Sequence, residues 1–411
     1  MSTLRCLLVA ALVLGLSPLA RSAPPNVVMI ISDDQGWTDF GFMEHKVIKT
    51  PRLDKLASES ALFPNGYVPS SLCRASLATL LTGLFGHQHK ICCNDPPDGV
   101  DRAKMHPFIK EAPALPRLLA KAGYRSLQTG KFWEGHYENA GFTSGMTVKG
   151  RHGDDGLAIG RKTMKPIYDF IEAEPDKPFF LWYAPMMPHS PHNPPEKYLA
   201  KYKDKVKDLE VAKYYAMCEW FDDTCGELLD YLDKKKLSDN TLVVFVVDNG
   251  WIQSEKSPNY APKSKRSPYD GGLRTPIMLR WPGHIKPMKY DELVSTVDLA
   301  PTILQACGVK VPEQLPGISL LPLAEGKAKL DRKQIFGEIF EHTAINIEQP
   351  AVNLTHRWVR QGDWKLILPQ KGKPELYNIA QDPMETKDQA AAQPDKVQEL
   401  TALIDKWWAG K

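Results

Sequence analysis

Two short apolar segments that end directly in acidic or amide side chains constrain the fold of this 411-residue chain most strongly. NVVMIIS is followed by Asp33 and Asp34, and NTLVVFVV is followed by Asp248 and Asn249. Apolar segments of this length, rich in β-branched residues, are typical of strands buried on both faces. Because ligands bind beyond the carboxyl ends of parallel strands, we expect these four side chains to meet at one edge of a sheet.

Strands and helices alternate along the chain as far as about residue 310. The segments that show this are the helix ALPRLLAKAG, the strands YRSLQTG and PFFLWYA, and a long amphipathic helix at 207–235. This alternation predicts an α/β fold with a large, mainly parallel sheet sandwiched by helices. A connector at 315–333 then leads to the strand-like pieces HRWVRQGDWKLIL and PELYNI and to a closing helix from about Pro394, which predict a small α+β subdomain.

The N-terminal segment MSTLRCLLVAALVLGLSPLARSAPP has the pattern of a secretory signal peptide. It has a basic residue, an apolar run too short to span a bilayer, and small residues before a cleavage site near Ser22 and Ala23. We therefore expect an exported protein, either periplasmic or secreted. The predicted divisions are a signal peptide at 1–22, a catalytic α/β domain at 23–320, and a C-terminal subdomain with a small antiparallel sheet and closing helix at 321–411.

Charge and cysteine content exclude some functions. The net charge of +3 gives no support for a nucleic-acid-binding protein, whereas a mild positive bias suits an anionic small substrate or an acidic polysaccharide. The six cysteines outside the signal peptide are too few for a disulfide framework in a chain of this length. Export permits individual disulfides, such as one between Cys218 and Cys225, and the sequence leaves that pairing open.

The polar residues at the two strand ends form a candidate metal site. Three carboxylates and an amide oxygen are hard ligands, which suit Ca²⁺ or Mg²⁺ better than zinc. Acids and amides at strand ends are also ordinary turn residues, and that alternative holds for either pair alone. The convergence of both pairs favours a metal site.

Three cationic side chains follow predicted strands or lie in loops rich in glycine or proline. They are Lys131 in TGKFWEGH, His189 in APMMPHSPHNPP and Lys265 in KSKRSPYDGGLR. A single lysine or histidine in a loop is usually a solvated side chain. As a set around a metal, they would bind a tetrahedral anion and stabilise charge on a leaving oxygen.

A series of segments spread from Asn26 nearly to the C-terminus matches, in order, the motifs of one family. They are PNVVMIISDDQGWTDFG, TPRLDKLASESALFPNGYV, LTGLFGHQHK, GKFWEG, PFFLWYAPMMPH, VVFVVDNGW, YDGGLRTPIMLRWPG, VSTVDLAPTILQACG and ELYNIAQDPMET. On these motifs the chain resembles the type I, formylglycine-dependent sulfatases of the alkaline phosphatase superfamily.

The resemblance implies a nucleophile at Cys73. In the family a cysteine at this position is oxidised by a formylglycine-generating or equivalent maturation enzyme. The aldehyde is then hydrated, and one of its hydroxyls attacks the sulfur of a sulfate ester.

The resemblance also implies roles for the polar residues. One Ca²⁺ per subunit would be held by Asp33, Asp34, Asp248 and Asn249, with the modified Cys73 completing its shell. Lys131 and Lys265 would bind sulfate oxygens, and His189 would protonate or stabilise the leaving alcohol. Arg74 and His192 complete the set of residues expected to bind substrate.

Two positions depart from the family pattern. In CRASL, Leu77 replaces an arginine that helps the maturation enzyme recognise its target and braces the formylglycine hydrate. Arg74 is placed to replace it in part, although its side chain leaves the helix in a different direction. In GKFWEGH, Trp133 stands where a catalytic histidine is expected, and we expect His136 to take over its role. Other candidates are His152 and His192.

These features predict an exported sulfuric ester hydrolase that removes sulfate from a sulfated carbohydrate. The loops 90–110, 135–160 and 251–265 are expected to decide the substrate. The first alternative is a phosphomonoester, phosphodiester or phosphonate ester hydrolase of the same superfamily, although the sequence lacks the second Asp and His cluster of two-zinc phosphatases. The second alternative is a catalytically degenerate protein that binds sulfated glycans, which Leu77 and Trp133 would support.

Overall fold

A nine-stranded sheet lies at the centre of the fold. In this computed structural model, which describes residues 23–411, the predicted signal peptide at 1–22 lies outside the described residues. The strands are β1 (Asn26–Ser32), β2 (Ala61–Tyr67), β3 (Arg125–Gly130), β4 (Ser144–Gly145), β5 (Phe179–Ala184), β6 (Thr241–Val247), β7 (Arg274–Arg280), β8 (Met288–Lys289) and β9 (Val294–Ser295).

The sheet is mixed but mainly parallel. Its order is β4-β3-β5-β1-β6-β7-β2-β8, and β9 also pairs with β2. Strand β1 lies at the centre and pairs in parallel with β5 and β6. Strand β7 runs antiparallel to both of its neighbours, β6 and β2. The predicted mainly parallel sheet is confirmed, and β7 is the element that makes it mixed.

Helices cover both faces of this sheet. The α-helices are α1 (Pro51–Ser58), α2 (Cys73–Thr82), α3 (Gly86–His89), α4 (Pro107–Glu111), α5 (Leu115–Ala120), α6 (Lys165–Ala173), α7 (Glu196–Leu199), α8 (Leu209–Lys234), α9 (Asp270–Leu273), α10 (Leu299–Ala306), α11 (Leu321–Ala324), α12 (Pro350–Asn353) and α13 (Pro394–Trp407). Short 3₁₀ helices lie at Gly41–Met43, Arg102–Met105, Tyr137–Ala140, Asp154–Ala158, Ser238–Asn240 and Thr296–Asp298.

The alternating side chains of β1 explain why two layers of helix are needed. Val27, Met29 and Ile31 pack on one side with α2, α5 and α10, whereas Val28 and Ile30 pack on the other with α1, α6 and α8. Successive side chains of a strand point to opposite faces, so an entirely apolar strand must be covered on both. Burial of β1 on both faces fixes its carboxyl end at the centre of the sheet.

Two helices differ slightly from their predicted bounds. The helix predicted at 207–235 begins at Leu209, because the Asp208 carboxylate accepts hydrogen bonds from the backbone N–H groups of Glu210 and Val211. Helix α5 ends at Ala120, before Gly123, whose φ of +86° turns the chain into β3.

A second sheet follows, with four antiparallel strands in chain order. These are β10 (Gln334–Phe340), β11 (Leu354–Gln361), β12 (Trp364–Pro369) and β13 (Glu375–Asn378). Leu400 and Ile404 of α13 pack on one face of this sheet. On the other side, the Trp358 indole N–H donates to the carbonyl of Pro69 at 3.0 Å. The predicted antiparallel sheet and closing helix are present, whereas the domain boundary at residue 320 stays a prediction.

The cysteines of the described chain are all unpaired. Cys73, Cys92, Cys93, Cys218, Cys225 and Cys307 are buried thiols. Cys218 and Cys225 both lie on α8 but pack in different clusters, so the pairing that the sequence left open is not formed. Within residues 23–411, none of the helices combines the length and apolarity needed to cross a bilayer.

Candidate active site

The carboxyl ends of β1 and β6 bring the four predicted oxygen ligands together. Ser32 is paired with Val247, so the residues that follow these two strands are neighbours. The backbone N–H of Asp34 donates to Asp248 Oδ1 at 3.0 Å, and Asn249 Nδ2 donates to Asp34 Oδ1 at 2.7 Å. All four side chains are buried. The sequence-based expectation that the two pairs converge is therefore met by the geometry.

The three predicted cationic residues surround this cluster. Lys131 follows β3 and places Nζ 2.5 Å from Asp33 Oδ1 and 3.5 Å from Asp248 Oδ2. Lys265 Nζ lies 2.6 Å from Asp34 Oδ2, and His189 Nε2 lies 3.3 Å from the same oxygen. Two loops thus bring lysine charges to the same small group of carboxylates, and a third places beside them the imidazole of His189, whose pKa burial lowers to about 3.

Cys73 is the first residue of α2 and faces the same cluster. Its Sγ lies 4.0 Å from Asp34 Oδ1. The first turn of α2 contains no acidic side chain, and although the Arg74 N–H donates to Asn94 Oδ1 at 3.0 Å, the helix dipole makes this end of the helix favourable for an anion. Burial raises the pKa of the Cys73 thiol to about 12, and Lys131 and Lys265 only partly offset burial.

The charges in the cluster do not balance. Three carboxylates face two lysines, and burial, together with repulsion from Asp33, raises the pKa of Asp248 to about 7. Burial also raises the pKa of Asp33, although Lys131 opposes this. Burial would raise the pKa of Asp34 as well, but Lys265, His189 and Lys131 outweigh it and hold that pKa below its usual range. The cluster therefore has room for additional positive charge.

Two buried oxygens show where a cation fits. Asp33 Oδ2 and Asn249 Oδ1 have no hydrogen-bond partner among the described residues, which is costly for buried polar atoms. Ligand atoms of Asp33, Asp34, Cys73 and His189 also lie within 4.8 Å of one another. A hard divalent cation would satisfy the unpartnered oxygens and balance the carboxylates. The residues present therefore fit Ca²⁺ or Mg²⁺.

Above the cluster opens a cavity of about 210 Å³. Its lining includes Asp34, Cys73, Asn94, Trp133, Arg151, His152, His189, Trp251, Lys265, Arg266 and His342. Residues from each of the three loops predicted to decide the substrate lie on this wall. Sequence reasoning did not single out Arg151, Arg266 or His342, because no local pattern distinguishes a pocket arginine or histidine from a solvated one.

The structure corrects the expected role of His136. The side chain of His136 is more than a third exposed, lies 3.6 Å from Glu138 and is absent from the pocket lining. Glu134 is drawn into the protein by Arg74, and Gly135 then turns the chain with a φ of +71°, which leaves His136 outside.

His152 is the histidine candidate that lies on the cavity wall beside Trp133. Its ring packs edge-on against Trp133, with centroids 4.5 Å apart, and lies 6.1 Å from the ring of His189. His192, the other candidate, does not line the cavity either. It is buried between Tyr214 and Trp251, away from the pocket wall.

Arg74 is likewise not a substrate-binding residue. Its guanidinium forms a bidentate pair with Glu134 at 2.8 and 2.7 Å and donates to the carbonyls of Cys93 and Met105. Only 1% of the side chain is exposed. Arg74 therefore braces the loops beside the pocket, and Leu77 packs in the apolar core.

Replacing Arg74 by alanine is expected to destabilise the protein by about 3–5 kcal/mol, because Glu134 would remain buried without its partner. Denaturant unfolding would measure the loss. The control is Lys165→Ala, which removes an exposed ion pair with Asp169 and should cost much less. Equal unfolding midpoints for Arg74→Ala and the wild type would contradict the bracing role.

The fold and the site together define a class of protein. A mainly parallel sheet covered by helices on both faces, with acidic residues, lysines and a helix N-terminal residue at its carboxyl edge, is the arrangement of the alkaline phosphatase-like superfamily of hydrolases. Residues 25–309 match the family described as Sulfatase. The chain therefore belongs to the Sulfatase family and is a sulfuric ester hydrolase, as its sequence predicts.

Comparisons with individual proteins agree with this assignment. Residues 260–407 match the family described as N-sulphoglucosamine sulphohydrolase, C-terminal. The N-acetylgalactosamine-6-sulfatase of Mus musculus is 27% identical, over 87% of this chain and 77% of its own length. The N-acetylglucosamine-6-O-sulfatase of Bacteroides thetaiotaomicron is 25% identical, over 93% of this chain and 86% of its own length. The solved structure of Ps i-CgsB has the same fold, with a TM-score of 0.78, 24% identity and coverage of 95% of this chain and 94% of that chain.

Proposed function

We propose that this protein is an exported sulfatase that releases sulfate from sulfated carbohydrates, using a formylglycine formed from Cys73 and a bound Ca²⁺. The observation that carries the proposal is the convergence of Cys73, Asp34, Lys265 and His189 on one cavity. The substrate class is supported by the two relatives named for the 6-sulfates of N-acetylhexosamines.

The environment of Cys73 supports its role as a precursor of the nucleophile. A thiol attacks as its thiolate, and burial raises the pKa of Cys73 to about 12, so the unmodified side chain is a poor nucleophile at neutral pH. The N-terminal end of the α2 dipole favours negative charge at this position.

Asp33, Asp34, Asp248 and Asn249 would hold the metal ion. When both groups are in place, the cation supplies Lewis acidity and the hydrated aldehyde supplies a hydroxyl nucleophile. Lys131, at the floor of the site, and Lys265, on the cavity wall, keep their positive charge beside the carboxylates and bind the sulfate oxygens.

His189 is oriented to deliver a proton to the leaving alcohol. Its Nδ1 lies 2.5 Å from the carbonyl oxygen of Ser190, and a carbonyl only accepts, so Nδ1 donates this hydrogen bond. Nε2 therefore faces Asp34 and the cavity. Burial lowers the pKa of His189 to about 3, so the resting ring is neutral and Nε2 carries no proton. To act as the acid, Nε2 would first take up a proton from solvent, with the Asp34 carboxylate stabilising the imidazolium, and then pass it to the oxygen that leaves sulfur.

His152 takes the place of the family histidine that Trp133 replaces. The Arg151 guanidinium donates to His152 Nε2 at 2.9 Å, so the neutral ring carries its proton on Nδ1. Burial, reinforced by Lys131 and Arg151, lowers the pKa of His152 to about 3 and keeps the ring neutral.

A sulfate-release assay on N-acetylgalactosamine 6-sulfate and N-acetylglucosamine 6-sulfate tests the proposal. The protein carrying formylglycine at position 73 should release inorganic sulfate from at least one of them. Aryl phosphate, phosphodiester and phosphonate esters are the control substrates for the alternative hydrolase. Turnover of those esters without release of sulfate from any sulfated sugar would overturn the proposal.

Two histidine variants sharpen this assay. His152→Ala should lower kcat by about 10²-fold or more, the scale of loss when a positioned hydrogen-bond donor to the developing negative charge is removed, because the neutral ring can donate from Nδ1. His136→Ala is the matched control and should leave kcat within about twofold, since exposed side chains away from a site contribute little. Equal rates for the two variants would remove His152 from the mechanism.

A further inference from the structure

The part of the cavity wall that carries Arg151, Arg266 and His342 has excess positive charge. Asp95 is the acid that contacts this wall. It accepts hydrogen bonds from Arg151 at 2.7 and 2.6 Å, pairs with Arg102 and lies 3.5 Å from His342. One carboxylate therefore faces two guanidinium groups, which leaves a positive charge uncompensated.

Arg266 adds a second uncompensated charge. Its side chain is exposed, lines the cavity, and makes no hydrogen bond or ion pair with any residue of 23–411. Its backbone has a φ of 65°, which residues other than glycine seldom adopt. Its backbone N–H donates to the carbonyl of Ser71 at 2.9 Å. Lys265, one residue earlier, turns inward to Asp34. The chain thus holds two adjacent cations at different depths of the same cavity.

Arg151 is held by several contacts and still has unused N–H donors. Its guanidinium lies 4.9 Å from the centre of the Trp133 ring and also contacts Asp95 and His152. These contacts occupy three of its five N–H groups. Trp133, the residue that replaces the family histidine, therefore supports an arginine on the cavity wall.

We propose that Arg266 and Arg151 bind a second anionic group of the sulfated saccharide, either a further sulfate ester or a uronate carboxylate. This inference rests on the proposed function and specifies its substrate class. Guanidinium groups match sulfate and carboxylate oxygens through paired N–H donors. Lys131, at the floor of the site, and Lys265, on the cavity wall, bind the sulfate to be hydrolysed. Arg151 and Arg266 line the same cavity, which is open to solvent and so admits a further anionic group.

Calorimetric binding to the Cys73→Ala protein tests the inference without turnover. The ligands are N-acetylgalactosamine 6-sulfate, its 4,6-disulfate, and the 6-sulfate linked to glucuronic acid. At least one of the ligands with two anionic groups should bind about tenfold more tightly than the monosulfate, as expected from charge-assisted hydrogen bonds. The ligand that binds best identifies the second group as sulfate or carboxylate.

Variants of Arg266 in the Cys73→Ala protein test whether this arginine causes the tighter binding of ligands with two anionic groups. Arg266→Gln should reduce the ratio of dissociation constants toward one and weaken the salt dependence of binding, whereas Arg266→Lys should restore part of both. Lys286→Gln is the matched control. Lys286 is exposed and follows β7, which runs antiparallel to β6 and therefore ends at the sheet edge opposite Asp248.

The two proposals fail in different ways. Equal dissociation constants for all three sugars, or an unchanged ratio in Arg266→Gln, would overturn the second-anion site. Release of sulfate by the mature wild-type protein would leave the proposed function intact in that case. If no sulfate is released but disulfated or uronate-linked sugars bind preferentially, the proposed sulfatase activity is overturned and the second-anion site is supported.

Discussion

Replacing Cys73 by alanine is expected to abolish sulfate release, with kcat reduced by at least about 10⁴-fold, the scale of loss when a nucleophile is removed. The reason is that Cys73 lies 4.0 Å from Asp34 on the floor of the cavity, where the start of α2 and two lysines favour negative charge. A second measurement, on the wild-type protein, should show what becomes of the Cys73 thiol. Mass spectrometry of the peptide with residue 73, from protein made in its native host, should reveal an aldehyde in place of the thiol.

Cys307→Ala is the matched control for this experiment. Cys307 is another buried, unpaired thiol whose pKa is raised by burial to about 12, but it packs in the apolar core rather than in the cavity. Its peptide should keep an unmodified thiol, and the variant should keep its activity.

The possible results separate the remaining functions. An unmodified thiol with sulfated sugars bound but not hydrolysed would favour the catalytically degenerate glycan-binding protein. Sulfate release from a protein whose residue 73 is unmodified, or from Cys73→Ala, would contradict the proposed nucleophile. An aldehyde would show that maturation occurs despite Leu77, whose side chain lies in the core and does not reach the cavity.

The parts of the site that the sequence predicts are those fixed by local pattern and sheet geometry. Uniformly apolar strands must be buried on both faces, and neighbouring parallel strands end at one edge, so Asp33 and Asp248 have to meet. Lys131 immediately follows a strand of the same sheet. For such residues, position along the chain and position in space are closely linked.

The residues that the sequence misplaces depend on contacts between distant loops. Arg74 is drawn away from the cavity by Glu134, which lies 60 positions further along the chain. The same contact leaves His136 outside the cavity. The loop that carries His152 is held beside the cavity by a hydrogen bond from the backbone N–H of Phe132 to the carbonyl of His152. The hydrophobic periodicity of the sequence does not predict such contacts between distant loops. The conformation of these loops depends on which partner pairs with each buried charge.

Calcium is expected to stabilise the protein by about 2.7 kcal/mol at a hundredfold excess over its dissociation constant, since it binds the folded state alone. The prediction follows from the unpartnered oxygens of Asp33 and Asn249 and from three carboxylates facing two lysines. Differential scanning calorimetry with Ca²⁺, with Mg²⁺ and with a chelator would measure the change in Tm. The ion that gives the larger increase should also restore sulfate release to the chelated enzyme.

Asp248→Asn should lose this response to calcium, because it removes one of the charges that hold the ion. Asp222→Asn is a matched control, because Asp222 is equally buried and burial also raises its pKa to about 7. Asp222 does not line the cavity, and it accepts hydrogen bonds from the backbone N–H groups of Arg52 and Leu53. That variant should be less stable overall but keep the increase in Tm with calcium. An identical calcium response in both variants, or none in the wild type, would show that the acidic cluster does not hold the ion.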